Sequence, residues 1–288
     1  MKTLTTKEVS RLCRVSDATV KRWEEAGVLK SERTAGGHRR FRVEEVARFQ
    51  REQSLGLKVC HGDESVDSAA TRRPENREHS ESALFHSLVV GREEEASNLL
   101  INAYLEGKSI TEIFDEILCD AMRQIGELWS IGELTIAQEH LATRAAVVAI
   151  HKLRSVIPIP KLQGDLAMCC AFEGDFHELS TLLAQVVFES QGWEVMNFGC
   201  NTPLYALDQE VNHHKPQLIC ISATILNDSE RSARDYADFR SKVSKMKIPI
   251  VIGGRALDNE RLRQRFPAEL FASSFSQVAE FSLKLLKK

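Results

Sequence analysis

The hydrophobic period of this chain changes once, near residue 165, and that change decides its architecture. Ahead of it, Ile110, Ile113, Phe114, Ile117, Leu118, Ala121, Met122, Ile125, Leu128 and Trp129 recur at three-four spacing, the signature of one helix face. Beyond it, short apolar runs (DLAMCCAF, WEVMNFG, QLICISAT, IPIVIGG, ELFAS) alternate with helical stretches. Strands that are apolar on both faces and separated by helices predict a parallel sheet covered on both sides. A second long helix is expected from Thr135, where Thr135 and Gln138 have capping-box spacing. With two shorter helices ahead of residue 110, these predict a four-helix bundle.

A length of 288 residues calls for more than one domain. The organisation expected is a head at 1–53, a linker at 54–80, a four-helix bundle at 81–160 and an α/β domain at 161–288. The linker assignment rests on a polar, aromatic-free composition without sustained periodicity. Charge is divided unevenly. Residues 1–53 carry 13 Lys and Arg against 8 Asp and Glu, although the whole chain has a net charge of −3. A basic head on an acidic body points to a polyanionic partner for the head alone. No apolar run reaches the ~18 residues that span a bilayer, and MKTLTTKEVS is not a secretory signal. The 7 cysteines lack CxxC pairing, which suits reduced thiols and neither a disulfide nor a zinc framework. A cytoplasmic protein with no membrane partner is expected.

In the head, Thr5 and Glu8 form a capping box for a short helix whose Val9 and Leu12 face inward. After the turn CRVSD, Ser16 N-caps a second helix, DATVKRWEEAG. Val20 and Trp23 would face the core, while Thr19, Lys21 and Arg22 lie nearer solvent. Gly36 and Gly37 then permit a tight hairpin, on which His38, Arg39, Arg40 and Arg42 concentrate positive charge. Helix, turn, helix and hairpin in this order resemble the DNA-binding domain of the MerR family. The resemblance implies an all-α winged helix-turn-helix head that binds a double-stranded DNA operator through Thr19, Lys21, Arg22, His38, Arg39 and Arg40. The family's coiled-coil dimerisation helix is missing after residue 50, so its dimer geometry does not carry over.

In the α/β part, Asp175-Phe176-His177 follows the first expected strand, at the carboxyl end where open parallel sheets gather ligands. An Asp two residues before a His can orient the imidazole and raise its basicity as a metal ligand. The later strand ends carry small residues, Ser222-Ala223-Thr224 and Gly253-Gly254, which would leave a slot for a long, thin ligand group. Alone, His177 reads more readily as an ordinary partly buried histidine than as a ligand; zinc lacks a ligand set at its spacing. The glycine motif of a dinucleotide-binding fold is missing, which argues against NAD. Together these residues resemble the Rossmann-like B12-binding domain of corrinoid methyltransferases, mutases and regulators. The resemblance implies a cobalt corrinoid with His177 as lower axial ligand, Asp175 and Phe176 beside it, and the nucleotide tail in the slot lined by Ser222, Thr224, Gly253 and Gly254. Ser180 replaces the family's usual glycine.

Trp129, followed after nine residues by Glu139-His140, resembles the motif of the CarH/LitR photoreceptor regulators. The resemblance implies that Trp129, Glu139 and His140 enclose the adenosyl side of adenosylcobalamin. It further implies that a homo-oligomer, a tetramer or a dimer, represses DNA in the dark and comes apart when light breaks the Co–C bond. One position departs from the pattern. Where the best-known members carry a His directly after the motif Trp, this chain has Ser130, a poor cobalt ligand, so capture of cobalt from above would fall to His140 or water. A second chromophore such as a bilin remains open. Two other readings stay beside this one: a corrinoid methyl carrier, disfavoured by the head and by the lack of a methyltransferase domain, and a B12-like domain that only mediates protein contacts.

Overall fold

The computed structural model describes residues 3–13, 15–34, 36–52, 83–160 and 164–286; the linker expected at 54–80 lies outside them. The chain divides into two compact units, one of residues Met1–Ile113 and Ile117–Pro158, the other of Phe114–Glu116 and Ile159–Lys288.

The first unit opens with β1 (Thr3–Leu4), α1 (Thr6–Leu12), α2 (Asp17–Glu25), β2 (Glu32–Arg33), β3 (Arg39–Arg42) and α3 (Val43–Glu52). Both sequence-read caps are in place: Thr5 and Glu8 close a reciprocal capping box, and the Ser16 hydroxyl accepts from the Thr19 amide. The head expected to be all-α also carries a three-stranded antiparallel sheet in the order β1-β3-β2. Gly37, at φ +76, turns the β2–β3 hairpin in a conformation that favours glycine. Val9, Val20, Leu29, Phe41 and Phe49 are buried, and Trp23 packs its ring against Phe49 at 4.8 Å.

Four helical segments follow: α4 (83–89), α5 (Glu93–Leu105), a third that begins as α6 (Ile110–Glu112) and ends as α7 (Cys119–Ser130), and α8 (Ile136–Val156). The third was expected as one regular helix, but a π turn, Ile113–Leu118, joins its two parts. The wider turn buries two adjacent pairs, Ile113 with Phe114 and Ile117 with Leu118. Ala142, Ala145, Ala146 and Ala149 form a small-residue stripe on α8, the helix most extensively packed against α5. Short side chains let the two backbones approach.

The second unit is a five-stranded parallel sheet ordered β5-β4-β6-β7-β8. Its strands are β4 (Leu166–Ala171), β5 (Glu194–Asn197), β6 (Leu218–Ser222), β7 (Ile250–Gly253) and β8 (Leu270–Ala272). Each falls inside one of the five apolar runs. Alternate residues serve opposite faces. Met168, Cys170, Ile219, Ile221, Ile250 and Ile252 pack with Leu207, Tyr236 and Phe239 of α10 (Leu204–His214) and α11 (Ser229–Met246). Ala167, Cys169, Leu218, Cys220 and Val251 pack with Phe188 of α9 (Leu179–Ser190) and Val278 of α13 (Phe275–Leu286). A short α12 (Glu260–Arg263) precedes β8. Asp115, from the π turn, belongs to this unit: its carboxylate accepts from the Phe275 and Ser276 amides (2.7 and 2.9 Å) and caps α13. No helix among the described residues is long and apolar enough to cross a membrane.

Candidate functional site

Strand order reverses between β4 and β6, so the loops leaving those two strands flank the crevice where such sheets bind ligands. Asp175 sits in the first loop, fully buried. Its Oδ1 faces the His177 ring Nδ1 at 2.7 Å and accepts from the His177 amide at 3.1 Å. Its Oδ2 accepts from the Thr224 and Ile225 amides of the second loop, at 2.6 and 3.3 Å. Burial pushes the Asp175 carboxyl up, but these bonds from His177, Thr224 and Ile225 outweigh it and hold it below its ordinary range.

The consequence falls on His177. A carboxylate at Nδ1 selects the tautomer with the proton there and leaves the lone pair on Nε2. The side chain is 48% exposed. Beside it Phe176 presents its ring to solvent, and Ile225 is also exposed. Among the described residues no three His, Cys, Asp or Glu side chains gather around a metal position.

The expected slot is only partly a matter of small side chains. Ser222 and Gly253 are register partners on β6 and β7, and the Ser222 hydroxyl is buried without a partner among the described residues. A buried hydroxyl left unbonded is costly, and a ligand atom that reaches it relieves the cost. Gly254 has a different reason to be glycine. At φ +113, an added Cβ would lie 2.4 Å from the Ala223 carbonyl oxygen. Main chain against main chain sets that position. Thr224 contributes its amide to Asp175.

Reading the sequence missed two asparagines that tie the loops together. Asn201, at φ +50, accepts from the Gly174 amide at 2.8 Å and donates its own amide to the Asp175 carbonyl at 2.8 Å. Asn227 donates to the Gly174 carbonyl at 3.0 Å. The run Gly199-Cys200-Asn201-Thr202-Pro203 carries a turn signal, but the partners of Asn201 are 27 and 26 residues away and invisible to a local pattern.

On the first unit, Trp129 lies in the last turn of α7 and is 47% exposed. Ser130 donates its hydroxyl to the Glu127 carbonyl at 2.7 Å. Thr135 and Gln138 form the expected capping box at the start of α8. Glu139 accepts from the Thr143 hydroxyl at 2.9 Å, while His140 is exposed, with Nε2 3.7 Å from the Glu139 carboxylate. Ile131, Ile136 and Leu141 are exposed on the same stretch. With Trp129, four large apolar side chains are exposed within 13 residues.

In the head, Lys21, Arg22 and His38 are exposed and Thr19 is half-buried. Arg40 is half-buried and donates to the Arg39 carbonyl at 3.1 Å. Arg39 itself is engaged, its Nε donating to Glu24 at 2.8 Å and an Nη to Glu25 at 3.3 Å.

Residues 5–41 match the family described as MerR family regulatory protein, and residues 81–153 match the family described as B12 binding domain. The second match lies on the four helical segments. The chain is 23% identical to the HTH-type transcriptional repressor CarH of Myxococcus xanthus, over 82% of this chain and 84% of that protein. It is 24% identical to the repressor CarA of the same organism, over 88% and 86%. This chain is a homologue of these repressors, with a MerR-type head and a B12-binding domain. The chain is similar in fold to the solved monomethylamine corrinoid protein of Methanosarcina barkeri: TM-score 0.60 at 18% identity, over 73% of this chain and 99% of that one.

Proposed function

We propose that this CarH/CarA homologue is a DNA-binding transcriptional repressor that senses light through adenosylcobalamin. One observation carries the corrinoid part: a fully buried Asp175 holds the His177 imidazole, Oδ1 to Nδ1 at 2.7 Å, at the switch point of the sheet. The buried Ser222 hydroxyl, unpartnered among the described residues, supports a ligand tail reaching the ends of β6 and β7. The bound cofactor supplies a light-labile cobalt–carbon bond. His177 would hold the cobalt, Asp175 would orient its imidazole, and Phe176 would offer an apolar contact to the corrin. Ser222, Thr224, Gly253 and Gly254 receive the nucleotide tail. Trp129, Glu139 and His140 serve the adenosyl side.

Trp129 and Glu139 would contact the light-labile group, and its loss would be read out as altered oligomeric state and DNA affinity. Neighbouring heads in an oligomer bind DNA with a multivalent gain, which dissociation forfeits. Ser130, whose hydroxyl is bonded to a carbonyl of its own helix, would be a poor cobalt ligand, which would leave that role to His140 or water. In the head, Thr19, Lys21, Arg22, His38 and Arg40 supply the contacts to a double-stranded operator.

The test is an absorption spectrum of the full-length protein mixed with adenosylcobalamin in the dark and freed of unbound ligand, then repeated after green illumination. Size-exclusion chromatography accompanies both samples. The reading expects a coloured protein, a light-dependent spectral change with a change in elution volume, and an altered spectrum for His177→Ala. A colourless wild-type protein refutes the corrinoid reading. A coloured but light-insensitive one refutes light sensing through B12, and an additional absorption band from the protein as isolated identifies a bilin. The corrinoid-protein fold keeps a methyl carrier as the second reading; turnover in a corrinoid methyl-transfer assay would establish it.

A further inference from the structure

Arg39 sits on the hairpin among basic residues, yet its surroundings are acidic. Its side chain is 20% exposed, and the Glu24 side chain that receives it is 14% exposed. Glu24 gathers three groups from beyond α2: the Ser31 hydroxyl at 2.9 Å, the Arg39 Nε at 2.8 Å and the Arg33 guanidinium at 3.6 Å. Ser31 precedes β2, Arg33 lies in β2 and Arg39 in β3, so one carboxylate near the end of α2 holds both strands of the hairpin. Glu25 takes a second nitrogen of the same guanidinium. Two carboxylates neutralise Arg39 locally and engage its Nε and one Nη nitrogen.

A head of this form reads DNA with two elements at once, a helix in the groove and a hairpin on the neighbouring backbone, and both reach only if their relative placement is fixed. We propose that Glu24 and Arg39 are positioning residues that lock the hairpin to α2, and that Arg39 contacts no phosphate. The inference rests on the DNA-binding reading above. It reverses two expectations drawn from charge alone. Removing Arg39 leaves the count of phosphate contacts unchanged. Removing the negative charge of Glu24 from a DNA-binding face weakens binding, where simple electrostatics would strengthen it.

The experiment uses the full-length protein and a duplex enriched by the wild type from a random pool, with affinity measured across KCl concentrations. Arg39→Gln and Glu24→Gln should each bind roughly tenfold more weakly, with the slope of log affinity against log salt equal to wild type. A lost phosphate contact would lower that slope by about 0.9. Combining the two changes should add little to either. Arg39→Lys keeps the charge but not the fork, and should lie between wild type and Arg39→Gln. A slope reduced by about 0.9 in Arg39→Gln, tighter binding by Glu24→Gln, or wild-type affinity for Arg39→Lys overturns the proposal. Amide hydrogen exchange of the DNA-free proteins supplies the second readout. Faster exchange at residues 39–42, with α1 and α2 still protected, supports the tie, and unchanged exchange overturns it. If no duplex is enriched, DNA binding itself fails, and the exchange result still decides whether Arg39 holds the hairpin.

Discussion

Replacing Gly254 by alanine tests the claim that backbone contact, more than an open slot, dictates this glycine. The φ of +113 is one that L-residues rarely adopt, and holding alanine there costs about 1–3 kcal/mol. The new Cβ would stand 2.4 Å from the Ala223 oxygen and 2.5 Å from its carbon. Neither atom can swing aside as a side-chain tip would, so β6 and the turn after β7 must separate, at a further ~1–3 kcal/mol. That movement strains the bonds from the Ala223 amide to the Gly253 carbonyl (2.8 Å) and from the Ala256 amide to the Ala223 carbonyl (2.9 Å). The sum, about 2–6 kcal/mol, is a large part of the ~5–15 kcal/mol that holds a domain folded. Gly253→Ala is the internal control. Its φ is ordinary, its Cβ would lie 3.3 Å from the Ala272 oxygen, and its cost should stay within about 1 kcal/mol. Because the chain has two units, the assay must localise the change: native-state hydrogen exchange on peptides covering β6 and β7, read against peptides from α5 and α8. If Gly254→Ala costs no more than Gly253→Ala, the close-approach argument is wrong.

Three other outcomes follow from the same geometry. Ser222→Ala removes an unpartnered buried hydroxyl, so it should leave the ligand-free α/β unit equally stable or up to about 1 kcal/mol more stable in urea, while weakening cobalamin binding several-fold by equilibrium titration. The Asp175 carboxyl is held below its ordinary range in the folded chain, so its stabilisation is present above the unfolded-state value near 3.9 and is lost as pH falls through the lower folded value. Asp175→Asn should therefore flatten the acid limb of the β4 and β6 exchange profile and cost about 1.5–3 kcal/mol at neutral pH. In the head, Phe41→Ala empties a fully buried site on β3 and should destabilise the 3–52 segment by about 3–5 kcal/mol, seen as lost amide protection there and unchanged protection in the sheet of the second unit.

Much of the architecture was legible from residue order because periodicity is a local property. The five apolar runs become the five strands, and the Thr5, Ser16 and Thr135 caps sit where spacing placed them. The Asp175–His177 pair was also legible, since two residues of separation suffice for the carboxylate to reach the ring. What needed the tertiary structure involves partners distant in sequence or conformations without a residue signature. The π turn at Ile113–Leu118 and the capping of α13 by Asp115, 160 residues upstream of Phe275, belong here. So does the burial of Asp175 under amides 49 and 50 residues later. Arg39 shows the limit most clearly. Its charge is written in the sequence, but whether that charge is available depends on Glu24, 15 residues away, and only the folding of the hairpin onto α2 brings the two together.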